Sequence, residues 1–184
     1  MQVTGHIIRS RYIYVRKRGE ESFQRVLAEL QPATAALMKD GPLETKWYPF
    51  ELYMDLSTTI DRVLGRGDLH LVYEMGAFSC ETNLTGIYRA FFRFGNIDFL
   101  LKRASKAWRS QYDFGTFRAS RDPERKERLT IELADVPQPT RVLFLAIEGW
   151  VVKAAELNGS EMTKISESFS EQPMAPMSWL FEVW

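Results

Sequence analysis

Three things are scarce in this 184-residue chain: cysteine (one), histidine (two) and net charge, which is zero because 24 basic residues balance 24 acidic ones. A lone Cys80 cannot close an intramolecular disulfide, so a disulfide-stapled secreted scaffold is excluded. Cys80, His6 and His70 lie too far apart in sequence to suggest a closed zinc site. Zero net charge and the lack of any recognition motif argue against nucleic-acid binding. Long apolar runs are missing too. The longest, Val142 to Ile147, is far short of the roughly 18 residues that a membrane span needs. The first residues, MQVTGHIIRSRYIYVRKRG, show no apolar signal segment, and the expected compartment is the cytoplasm.

Catalytic signatures are equally scarce. There is no G-x-S-x-G elbow and no G-x-x-x-x-G-K-[ST] loop. Gly65-Arg66-Gly67 lacks the third glycine of a dinucleotide fingerprint. Asp113-Phe114-Gly115 copies a kinase tripeptide without the other kinase elements and reads as a helix end. Cys80 has no base placed beside it by sequence and reads as a small buried thiol. The expectation is a protein that is not an enzyme and carries no metal.

What the chain does have is apolar patterning, with aromatics at 13% of residues. Residues 3–18 fit a strand by propensity and a helix by the face Ile8, Tyr12, Val15. Helical spacing then appears in Phe23, Val26, Leu27 and Leu30, in a short stretch after Pro32, and from Pro49 to Leu64. Asp68 is placed to cap a helix carrying Leu71, Val72 and Met75. Two more helices are expected, over about 86–94 and from Asn96 through Trp108. From Asp113 the period changes to strands at 116–120 and 129–133, a largely apolar helix at 140–157, and strands at 161–169 and 177–184. Trp150 is expected to be an anchor of that helix. The fold class expected is α+β: a helical half over about 1–112, then a β-β-α-β-β antiparallel sheet backed by a helix over 113–184, all in one domain.

Charge also divides along the chain, at a later boundary. Residues 129–184 hold three basic and eight acidic groups, a net of −5, which leaves +5 on residues 1–128. Arg9, Arg11, Arg16, Lys17 and Arg18, with Arg89, Arg93, Lys102, Arg103, Lys106 and Arg109, read as solvated basic faces. The candidate interaction or pocket residues are the aromatic cluster Tyr88, Phe91 and Phe92 with Trp108, and the adjoining Arg93 and Arg109. Phe91 and Phe92 are neighbours, so their rings leave a helix on different faces and one is free to cover a ligand or partner.

Several short patterns together resemble a known superfamily. They are Trp47-Tyr48-Pro49, Gly65-Arg66-Gly67-Asp68, Glu74-Met75-Gly76, Tyr88 to Phe94, Trp108 to Gly115, Glu148-Gly149-Trp150 and Phe181-Glu182-Val183-Trp184. In this order they resemble the group that unites heme-nitric-oxide-binding sensors, 4-vinyl reductase domains and vesicle-tethering (TRAPP) subunits. Within it the likeness is to an uncharacterised paralogous family of myxobacteria and related bacteria. The resemblance implies a regulatory domain acting through protein–protein contact, as a homodimer or with a partner. Its alternative is a sensor holding a small hydrophobic ligand or lipid between helices and sheet. Heme-binding relatives use a histidine ligand and a Tyr-x-Ser-x-Arg clamp, and related 4-vinyl reductase domains carry cysteines before the final strand. This chain has neither the clamp nor a cysteine between Ser166 and Ser178, so no cofactor is expected.

Overall fold

The computed structural model describes residues 1–83 and 97–184. In chain order they form β1 (Gln2–Thr4), α1 (Gly5–Arg16), α2 (Glu20–Glu29), α3 (Pro32–Asp40), β2 (Trp47–Pro49), α4 (Phe50–Leu64) and α5 (His70–Asn83). After the segment 84–96 come α6 (Ile97–Arg109), β3 (Thr116–Arg121), β4 (Arg128–Ala134), α7 (Arg141–Leu157), β5 (Met162–Ser168) and β6 (Met177–Val183). The expected α+β order is present. The helix expected over 86–94 lies outside the described residues.

The ambiguity of residues 3–18 resolves as both readings in turn. Gln2 to Thr4 pair antiparallel with Trp47 to Pro49, and the chain then turns into α1. Trp47-Tyr48-Pro49 is therefore strand, and Pro49 is the residue before α4 rather than its first helical position. Helix α1 forms because Ile8, Arg11 and Val15 fall on its inner side with Ile7 and Tyr14, and burial outweighs strand propensity. At the start of α5, the buried Asp61 accepts hydrogen bonds from the backbone N–H of Leu69 (2.9 Å) and Leu71 (3.0 Å). Asp68 accepts from His70 N–H at 3.0 Å, so two carboxylates rather than one satisfy this helix end.

The second half builds an antiparallel sheet in the order β3-β4-β6-β5. Its register places Phe117 opposite Leu133, Leu133 opposite Met177, Ile131 opposite Trp179 and Leu129 opposite Phe181. All of these side chains are buried, as the period-2 pattern requires of one covered face. Helix α7 covers that face, with Phe144 stacked on Trp179 at 4.3 Å between ring centroids. Thr140 caps α7 by accepting from Leu143 N–H. Trp150 departs from expectation: it is half-buried against Cys80, Ala154 and Leu157, while Phe144, nearly two turns earlier, is fully buried. Its indole also packs against the main core, and Gly149 beside it takes the position closest to the α5 backbone.

The helical and sheet halves share one continuous apolar core. Within the sheet, ion pairs tie neighbouring strands, Arg118–Glu132 (2.7 Å) across β3 and β4 and Arg128–Glu182 (3.3 Å) across β4 and β6, while Lys153 on α7 reaches Glu81 on α5 at 2.9 Å. No helix among the described residues is long and apolar enough to cross a membrane.

Candidate functional site

The sequence-derived site splits when placed on the fold. Tyr88, Phe91, Phe92 and Arg93 lie outside the described residues. Trp108 and Arg109 close α6 and point to opposite sides: Trp108 is buried and Arg109 exposed. The Trp108 indole N–H donates to the Phe114 carbonyl at 2.7 Å, so its polar edge is already used. Its ring stacks on Tyr112 (3.9 Å) and on Phe117 of β3 (5.6 Å). Phe114 continues the contact edge-on to Phe50 (5.0 Å), and Phe50 stacks on Tyr53 of α4 (5.4 Å). A chain of rings thus runs from the sheet into the helical half, with Trp108 in its middle.

At the helical end of these rings stands Arg11. It is only 2% exposed, which corrects its reading as part of a solvated basic face. Position 11 follows Ile8 and precedes Val15 on the inner side of α1, and the helix geometry carries the guanidinium inward with them. That placement was the signal available in the sequence. The guanidinium donates to Ser10 Oγ (2.9 Å) and to the Tyr53 hydroxyl (2.9 Å), and its carbon lies 4.9 Å from the Tyr53 ring centroid. Its Nε–H has no partner, and no carboxylate lies within ion-pair range among the described residues. Tyr112, joined to Val3 by an isolated β-bridge, feels the same charge. Burial pushes the Tyr112 phenol well above its ordinary range, which Arg11 opposes only weakly, so that phenol remains neutral.

Other buried ionisable groups are accounted for. Glu148 on α7 accepts from Lys164 Nζ (2.9 Å) and from Trp179 Nε1 (3.1 Å). Cys80 is buried between α5 and α7, and burial pushes its thiol far up, away from the thiolate a nucleophile needs. Among the described residues, no group of three or more His, Cys, Asp or Glu side chains is placed to hold a metal ion.

No family model and no curated protein matches this chain in sequence. Solved structures do match in shape. The Fe(II) unliganded H-NOX protein of K. algicida superimposes with a TM-score of 0.71 at 14% identity, covering 98% of this chain and 96% of that one. This chain has the H-NOX fold. A structure bearing on H-NOX activation gives a TM-score of 0.71 at 9% identity, covering 100% and 96%. An oxygen-binding H-NOX domain related to soluble guanylate cyclases gives 0.69 at 10%, covering 98% and 94%. The likeness therefore spans the helical half and the sheet together, and it agrees with the heme-nitric-oxide-binding branch of the resemblance.

The fold raises heme as a cofactor, and the side chains do not fit it. His70 is exposed at the start of α5, with Nε2 3.3 Å from Glu74 Oε1. His6 stands on the first turn of α1, half-buried, where its backbone N–H donates to the Glu44 carbonyl. Segment 84–96 brings neither histidine nor cysteine. The buried interior of this fold thus presents one cation and several phenols, and no fully buried imidazole, among the described residues.

Proposed function

We propose that this chain is a non-enzymatic signalling domain that senses a small, largely apolar ligand other than heme. The observation that carries the reading is an H-NOX fold over nearly the full chain in which His70 is exposed beside Glu74 and no histidine is among the fully buried residues described. Solved structures of that fold include an oxygen-binding domain and an unliganded Fe(II) protein, which supports a ligand-responsive role for the architecture. The aromatic chain from Phe117 to Tyr53 links the sheet to the helical half, so a ligand wedged against it would strain both halves together.

Native mass spectrometry of gently purified protein tests this, together with an absorbance scan after heme is added. The expected result is a co-purifying small molecule and no stoichiometric Soret band. Repeated recovery of bare protein, or one heme per chain with a sharp Soret band, would remove the reading.

Partner contact, as a homodimer or with another protein, is supported by the sheet edge. Strand β5 is an edge strand, and Ile165 on it is 43% exposed. Light scattering on Ile165→Lys against the parent chain reads this out: an assembly using β5 loses mass, and equal masses for both proteins argue against that edge.

A further inference from the structure

A guanidinium does not shed its proton inside a protein, so folding carries the Arg11 charge into the core. A buried charge is unfavourable unless it is paired and fully hydrogen-bonded. The two groups Arg11 meets are neutral hydroxyls, and both are poor compensation. Ser10 Oγ already gives its own proton to the Ile7 carbonyl at 2.7 Å. The Tyr53 hydroxyl accepts from Arg11, and no acceptor for its proton is found among the described residues. Arg11 Nε–H likewise has none. The cluster therefore consists of donors around a positive charge, with aromatic rings behind it.

We propose that Arg11 and Tyr53 form the head-group site for a small monocarboxylic acid with an apolar body. The inference rests on the ligand-sensor reading and names the chemical class of its ligand. A carboxylate matches the planar fork of the guanidinium, and its second lone pairs accept from the Tyr53 phenol. A single negative charge neutralises the single guanidinium; no other cation is bonded to Ser10 or Tyr53 among the described residues, so a phosphate dianion would remain uncompensated. Phe50, stacked on Tyr53, and the rings beyond it supply the apolar wall that a bare inorganic anion would not use.

The test uses the full chain with two probes of nearly equal shape, sodium benzoate and benzyl alcohol, and reads binding by calorimetry. Arg11→Met keeps an unbranched side chain out to the Nε position without its charge, and Tyr53→Phe removes only the hydroxyl. The expected result is tighter binding of benzoate than of benzyl alcohol to the parent protein. Benzoate affinity then drops at least tenfold in Arg11→Met and a few-fold in Tyr53→Phe, in each case by more than benzyl alcohol affinity drops. If Arg11→Met does not fold, as judged by circular dichroism, the Tyr53→Phe ratio of the two affinities decides alone. Equal affinities for the two probes, or a benzoate affinity insensitive to both substitutions, overturns the proposal: water then satisfies Arg11. Benzyl alcohol binding in that case leaves the ligand-sensor reading standing. Binding of neither probe also overturns the proposal, and the mass spectrum of co-purified ligand judges the sensor reading separately.

Discussion

Replacing Gly149 by alanine sets two effects of opposite sign against each other. In a helix interior, glycine to alanine should stabilise by about 1 kcal/mol through backbone entropy and helix propensity. Packing says otherwise. A Cβ at Gly149 would stand 2.1 Å from the Tyr73 carbonyl oxygen and 3.2 Å from Ala77 N, both backbone atoms of α5. On the other helix, a Cβ at Gly76 would stand 2.2 Å from the Ala146 carbonyl oxygen. An ordinary carbon–oxygen contact is about 3.4 Å, so α5 and α7 would have to move apart by roughly 1 Å. Neither obstacle is a flexible side-chain end that could swing aside. Separation would loosen the packing of Val72 and Met75 on α5 and of Phe144 and Ile147 on α7, all buried. Overpacking of this kind costs about 1–3 kcal/mol, toward the upper end when backbone must shift. After the propensity gain, a net loss of about 1–2 kcal/mol remains. For a domain of this size that lowers the melting temperature by about 2–8 °C. Differential scanning calorimetry of Gly149→Ala, Gly76→Ala and the double variant measures it. The double variant should lose less than the two singles together, because one separation relieves both clashes. A Gly149→Ala protein that melts at or above the parent temperature would refute the close helix approach.

Three further outcomes follow from buried contacts and one ion pair. Phe144→Ala, which empties the space facing Trp179, should cost about 3–5 kcal/mol in urea unfolding, and Trp150→Ala distinctly less because its indole is half-buried; the reverse order would displace α7 from the sheet. Asp61→Ala leaves the N–H groups of Leu69 and Leu71 without acceptors and should cost about 1–3 kcal/mol, with hydrogen exchange accelerating first at the start of α5. The hydrogen bond from Lys164, aided by Arg141, holds the Glu167 carboxyl below its ordinary range. A depressed carboxyl contributes stability above its unfolded value, near pH 4.5, and loses it as pH falls through the lower folded value. Glu167→Gln should therefore flatten the acid side of the stability profile between about pH 5 and 3, and a profile of unchanged slope there would count against this pair.

Much of the architecture was legible because burial is periodic. Leu129, Ile131 and Leu133 alternate with polar residues, and they do face the core from β4. Leu71, Val72 and Met75 are the buried side of α5, as their helical spacing implied. The strands β1 and β2 were not legible: each has three residues, too few to show a period, and their partners lie about 45 residues apart. How deeply Trp150 sits was not legible for a related reason, since an apolar residue on an apolar helix says nothing about which side meets the neighbouring helix. The candidate cluster at Tyr88 to Arg93 lies outside the described residues, and Trp108 proved to be part of a ring chain whose other members come from α4, β3 and the turn before it.

By itself, then, the sequence determined the order and kind of the longer elements, the α+β class, and the scarcity of histidine and cysteine. Each of these depends on composition or on a short local period. Arg11 is the counter-example. Along the chain it is one basic residue among five, and only its spacing from Ile8 and Val15 hints that it turns inward. Only when α1 packs against α4 does Tyr53, 42 positions away, close over it and exclude water. A charge becomes costly, and so able to select a ligand, through its dielectric surroundings, and those surroundings exist only in the tertiary structure.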